Sequence, residues 1–262
     1  MEHNALQDLN DVIKRLSAPD GCPWDREQTP ESLADYVIEE SHELVSAIRQ
    51  GNVADICEEL GDVAFLLLFI AHLFEKKGAF SFDDALDTNR AKMIRRHPHV
   101  FGETTFDSRD EQLKTWEAIK RAEHADAEGK PQCIFQSLPA SLPALIKAYR
   151  IHSKAARAGF TWQNDVDVEQ QVEAEWLEWL DACANEDLAH QKHELGDMLF
   201  TLTELGRRKG IKSNEALDLA NIRFLQRFAK MEAYARENGR DFTELSQEEK
   251  DALWEKAKKE EQ

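Results

Sequence analysis

The sequence predicts an all-α protein built from two similar helical units in tandem, and three observations carry that reading. No stretch alternates apolar and polar residues well enough to be a strand, while apolar residues recur at helical spacing along the chain. Helix start and stop signals punctuate those stretches at regular intervals. An acidic pattern also occurs twice: shifting Glu40, Glu43, Glu59 and Asp62 by 135 positions lands on Glu175, Glu178, Glu194 and Asp197. With 51 acidic residues in 262, four matches at one preset offset arise by chance roughly once per thousand trials, which favours a repeat over a merely solvated acidic surface.

The elements follow in order. Leu6, Leu9, Val12, Ile13 and Leu16 mark a first helix that Pro19-Asp20-Gly21 ends, and Gly21-Cys22-Pro23-Trp24-Asp25 reads as a loop. Thr29 and Pro30 supply an N-cap and a first-turn proline for the helix carrying Glu39, Glu40 and Glu43. Arg49-Gln50-Gly51-Asn52 is a break suited to folding the next helix back on it. That next helix runs from about Val53 to Lys77, carries Glu58, Glu59 and Asp62, and continues into the apolar run Val63 to Ala71. A helix apolar all round is buried on more than one side. A further helix, Ser81 to Arg96, closes at His97-Pro98-His99, and Ser108 to Glu111 is a capping box for the helix with Trp116 and Lys120. Gly129, Pro131, Pro139 and Pro143 mark a linker over 126–143, between a first unit at 1–125 and a second at 144–262. The second unit repeats the order of the first, ending in a capping box at Ser246 to Glu249 before Trp254 and Lys258.

Composition bounds the function. A net charge of −18 argues against nucleic-acid or anionic-membrane surfaces, although an anionic small substrate remains compatible with metal and local Lys or Arg. The nine-residue apolar run is too short to span a bilayer. The four cysteines form no CxxC pair, and the N-terminal residues lack signal-peptide character, so a reducing cytoplasm is expected.

The chemistry lies in the acids. On a helix, positions i, i+1 and i+4 fall on one face, so two antiparallel helices would aim up to six carboxylates at one volume. Such a cluster repels itself unless protons or cations neutralise it, and oxygen-only donors favour a hard ion, Mg²⁺ before Zn²⁺. Lys92 and Arg96 are i, i+4 neighbours able to reach one anion, unless they are solvated charges. Trp116 and Lys120 recur in spacing as Trp254 and Lys258, which suits an aromatic plate beside a phosphate cation or a core-packing Trp. The units differ where Glu39 and Glu58 correspond to Ala174 and His193, which assigns catalysis to the first unit and a weaker or regulatory role to the second. Glu39 is the candidate to activate water, with holding a second ion or steadying a ligand as its alternatives.

Other chemistries fit less well. A di-iron site needs Glu-x-x-His from two helices; Glu39-x-x-His42 supplies one and Glu59-x-x-Asp62 none. Gly206 to Ser213 has the wrong spacing for a P-loop, and His97 with His99 reads as exposed or hydrogen-bonded rather than metal-binding.

The paired acidic sets, Gly21-Cys22-Pro23-Trp24-Asp25 and Arg95-Arg96-His97-Pro98-His99-Val100-Phe101 together make the chain resemble the MazG family of nucleoside triphosphate pyrophosphohydrolases, over nearly its whole length. The resemblance implies the all-α NTP pyrophosphatase fold, a helical bundle in each unit, and a homodimer. It implies Mg²⁺-dependent hydrolysis of nucleoside triphosphates, with Mn²⁺ as a substitute, to nucleoside monophosphate and pyrophosphate, with broad base range and a part in nucleotide-pool cleaning or stress control. It further implies Glu40, Glu43, Glu59 and Asp62 as magnesium ligands, with Lys92, Arg96, Trp116 and Lys120 around the nucleotide. The matching second-unit residues are Glu175, Glu178, Glu194 and Asp197, with Arg223, Arg227, Trp254 and Lys258. Dimerisation is expected mainly through the first unit, and a non-catalytic nucleotide- or metal-sensing dimer is the alternative function.

Overall fold

The computed structural model describes residues 4–123, 133–185 and 187–260. Twelve α-helices and one 3₁₀ turn make up its regular structure, with no strand among the described residues. Packing divides the chain into Met1–Ile119 and Lys120–Gln262. Of the expected linker, 126–132 lies outside the described residues, and 133–143 holds turns up to the start of the next helix.

In the first unit the helices are α1 (Ala5–Leu16), α2 (Pro23–Arg26), α3 (Pro30–Gln50), α4 (Val53–Lys76), α5 (Phe82–Arg96) and α6 (Pro98–Phe101); α7 (Arg109–Glu123) runs past the division. The Thr29 hydroxyl accepts from the Ser32 backbone N–H while Ser32 accepts from that of Thr29, a reciprocal cap with Ser in place of the usual acid. Gly51 ends α3 at φ +73°, a left-handed conformation that glycine adopts without strain, and the Asn52 side chain immediately caps α4. Two residues thus reverse the chain, and α3 packs back on α4. The residues expected to form a loop at Gly21 to Asp25 instead contain the single turn α2, because Pro23 sits at a first-turn position where its missing N–H costs nothing. At α7 the Ser108 hydroxyl accepts from the Glu111 N–H, but Glu111 reaches back to the Asp107 N–H, one residue earlier than a standard capping box.

The first unit's core is Ile13, Leu33, Leu66, Leu68 and Phe69, flanked by Leu9, Val37, Phe65, Ile70, Leu73 and Phe82. The apolar run of α4 is therefore buried on most sides, although Leu67 is 45 % exposed.

The second unit contains α8 (Ala144–Arg157), α9 (Asp165–Ala184), α10 (Leu188–Arg208), α11 (Ser213–Glu237) and α12 (Gln247–Lys259). Asn164 caps α9, and the Asp187 carboxylate accepts from the N–H groups of Ala189 and His190 to open α10. α10 packs on α9, α8 and α11. Its interior is chemically unlike that of α4: the buried positions of α10 are Glu194, Thr201, Thr203 and Glu204. Glu204, only 1 % exposed, stands at the 135-residue offset from Phe69. It accepts two hydrogen bonds from Arg207, at 2.6 and 2.8 Å, and one from Thr161, and lies 3.5 Å from His152 Nδ1. His152 in turn meets the Phe200 carbonyl through Nε2 at 3.0 Å.

Candidate metal centres

Each helical hairpin gathers carboxylates. In the first unit Glu40 and Glu43 from α3 and Glu59 from α4 each bring one oxygen to within 4.8 Å of the others. In the second, Glu175 from α9 joins Glu194 and Asp197 from α10 within the same limit. Glu40 and Glu43 share a helix face because they are three residues apart, and the Gly51-Asn52 reversal turns that face onto α4. The fourth expected ligand of each set stands close by. Asp62 is near enough to raise the proton affinity of both Glu40 and Glu59, and Glu178 feels Glu194, Glu175 and Asp197.

The electrostatics are those of a site short of positive charge. Partial desolvation, then the charges of Glu43, Asp62 and Glu39, raise the Glu40 carboxyl above the usual range; a hydrogen bond from Glu59 offsets part of that rise. Glu59 is raised by desolvation and then by Glu43, Glu40, Asp62 and Glu58. Glu178 is raised by desolvation, by Glu194 and Glu175, by a hydrogen bond with Glu194 and by Asp197. Glu39 and Glu58 are exposed and act on their neighbours through charge. In the second unit, Glu175 is buried and accepts from Gln171 at 2.9 Å, while Glu194 Oε2 is buried with no donor to meet it. An oxygen-only donor set with raised proton affinities, or one with an orphaned buried oxygen, fits a divalent cation.

This predicts a pH dependence. A carboxyl whose folded pKa is raised adds stability that is complete below its unfolded value, near 4.5 here, and lost as pH rises through the folded value. Metal-free protein is expected to melt at progressively lower temperature as pH rises above the unfolded carboxyl value, and excess divalent ion to restore it. The Glu40→Gln/Glu59→Gln variant should flatten that slope in chelator-treated thermal melts; an unchanged slope would assign it to net charge alone.

A cation–aromatic pair completes each unit. The Arg96 guanidinium lies 5.7 Å from the Trp116 ring centre, and that of Arg227 lies 5.4 Å from the Trp254 ring. All four side chains are half-buried, and Trp254 also packs on Phe224 at 5.4 Å. Lys92 is half-buried on α5, one turn before Arg96. Arg223 is exposed on α11, and Lys258 is spent partly on Glu255 at 2.9 Å. Lys120 is half-buried on α7, one turn beyond Trp116. His97 and His99 are engaged by the neighbouring helices: His97 Nδ1 meets the Met93 carbonyl of α5 at 2.7 Å and His99 Nε2 meets Gln112 of α7 at 2.9 Å.

Sequence reasoning missed His190, whose Nε2 lies 2.8 Å from Glu194 Oε1, and the contact of His193 Nε2 with Asp197 Oδ2 at 3.1 Å. The i, i+4 spacing of each pair was the available signal.

Comparison with known proteins agrees with this architecture. Residues 28–101, spanning α3 to α6, match the MazG nucleotide pyrophosphohydrolase domain. The chain is 38 % identical over 253 residues to a nucleoside triphosphate pyrophosphohydrolase/pyrophosphatase MazG of Thermotoga maritima, covering 97 % of this chain and 95 % of that protein. It is 34 % identical over 261 residues to a nucleoside triphosphate pyrophosphohydrolase of Escherichia coli K12, covering 98 % of both. An uncharacterized Bacillus subtilis protein, YabN, is 37 % identical over 98 % of this chain, which spans 52 % of that longer protein. Full-length similarity of this extent, with the carboxylate hairpins in place, makes the chain a member of the MazG nucleotide pyrophosphohydrolase family.

Proposed function

We propose that the protein hydrolyses nucleoside triphosphates to nucleoside monophosphate and pyrophosphate with Mg²⁺, or Mn²⁺ in its place. The observation that carries this is the convergence of Glu40, Glu43 and Glu59 on one volume where their charges oppose one another. These three, with Asp62, would hold the ion, which when bound neutralises phosphate oxygens and the leaving pyrophosphate. Glu39, exposed and close enough for its charge to act on Glu40, would take a proton from the attacking water. Arg96 and Lys92 supply cations for the triphosphate. Trp116, which already pairs with Arg96, would stand beside the base, and a broad base range is expected of contacts to the π-face that every base carries. The first unit is the catalytic one on this reading, since Ala174 replaces Glu39 in the second.

Association into a homodimer is supported by exposed Val45, Ile48, Leu60 and Leu67 on α3 and α4. Trp176, Leu180 and Leu199 give the second unit a comparable apolar surface. No described helix is long and apolar enough to cross a membrane, which is compatible with a cytoplasmic role in clearing nucleotide pools. Pyrophosphate release from a panel of triphosphates, with Mg²⁺ and with chelator, tests the proposal. Stoichiometric monophosphate and pyrophosphate that vanish on chelation are expected. Binding of nucleotide without turnover would leave a sensing module instead.

A further inference from the structure

The two acidic centres differ in donor chemistry at two places. On α10 the sequence runs His190-Gln191-Lys192-His193-Glu194-Leu195-Gly196-Asp197. The 135-residue offset puts Asp55 and Glu58 of the first unit at the positions of His190 and His193. Where the first centre has only oxygen, the second has two imidazoles in contact with its carboxylates. We infer that the second unit holds a nitrogen-binding transition-metal ion of the Zn²⁺ class in preference to Mg²⁺, with His190 and His193 joining Glu175, Glu194 and Asp197 as ligands.

Three observations carry this. The gathered group within 4.8 Å consists of the three carboxylates, and each exposed imidazole touches one of them, so rotation of the two side chains would bring them to an ion held there, where two donors each about 2.1 Å from zinc lie about 3.0–3.4 Å apart. His193 Nε2 and Asp197 Oδ2 are 3.1 Å apart, and His190 Nε2 and Glu194 Oε1 need open by only a few tenths of an ångström from 2.8 Å. Independently of the histidines, Glu194 is 4 % exposed and its Oε2 is buried without a donor, while a Glu194 oxygen lies within 4.8 Å of oxygens of Glu175 and Asp197. A buried carboxylate oxygen with no partner is costly, and a cation would satisfy it. Finally, imidazole nitrogen gives its largest advantage to zinc and its neighbours and little to magnesium, which keeps to oxygen and water. A mixed set of carboxylate and imidazole therefore moves preference away from the ion that the first centre suits.

The inference rests on the reading that these carboxylates bind divalent ions, and the test separates the two. Full-length untagged protein carrying Glu40→Gln/Glu59→Gln, to silence the first centre, is titrated with Zn²⁺ against a chromophoric chelator and with Mg²⁺ by calorimetry. Zn²⁺ is expected to bind at least about 100-fold more tightly than Mg²⁺. Adding His190→Gln/His193→Gln should weaken Zn²⁺ by at least about tenfold and leave Mg²⁺ within twofold. Adding Glu194→Gln instead should abolish Zn²⁺ binding at the same concentrations. If the histidine variant binds Zn²⁺ as before while Glu194→Gln does not, the imidazoles merely hydrogen-bond to the acids and the inference fails with the carboxylate site intact. If Glu194→Gln still binds Zn²⁺, the ion sits on surface histidines and the inference fails. If neither ion binds the parent protein, the carboxylate reading of this unit falls as well.

Discussion

Glu40→Gln is expected to lower pyrophosphate release at least about 100-fold, with folding intact. The substitution keeps the size of the side chain and removes one charge. In the metal-free protein that charge is opposed by desolvation and by Glu43, Asp62 and Glu39, so the variant should melt at the same temperature as the parent or higher. Lost turnover with undiminished stability separates a functional acid from a structural one. The matching Glu175→Gln change should cost far less turnover, because the second unit has Ala174 where the first has Glu39. Steady-state pyrophosphate release from both variants, beside their thermal melts, decides the matter. If only Glu175→Gln abolishes activity, the second unit is the catalytic one.

Glu204→Ala should destabilise the second unit by about 3 kcal/mol, read as an earlier denaturant midpoint with little change in slope. Burial alone would raise the Glu204 carboxyl, but two hydrogen bonds and the charge of Arg207, with help from His152 and Thr161, hold it below the usual range. Removing it leaves Arg207, four-fifths buried, without its bidentate partner, and Thr161 without an acceptor. Adding Arg207→Ala should recover part of the loss, since the stranded cation goes with it. A loss below about 1 kcal/mol would mean that water replaces the carboxylate readily.

What could be foreseen from the sequence was what neighbours in the chain decide. The caps at Thr29 and Ser246, the helix start at Ser81 and the reversal at Gly51 involve residues a few positions apart, so their side-chain chemistry already contains the answer. The acids were legible for the same reason, aided by their repetition. The Glu204 network was not, because its members come from α8, the loop before α9 and α10, and an acid among apolar positions gives no hint of an Arg three residues on turning inward with it. The short helix at Pro23 was hidden by a glycine-proline stretch whose composition signals a loop. The cation–aromatic pairs were visible as residue types but not as partners, since Arg96 and Trp116 belong to separate helices.

The two-residue reversal between α3 and α4 has a consequence for how the protein comes into being. Glu40 and Asp62 are separated by little more than one hairpin, so the entire first centre is encoded in a single local segment. Segments of that kind close quickly, because little chain entropy is lost in bringing their ends together. Newly made chain would therefore meet the mutual repulsion of these carboxylates early, as soon as the hairpin closes.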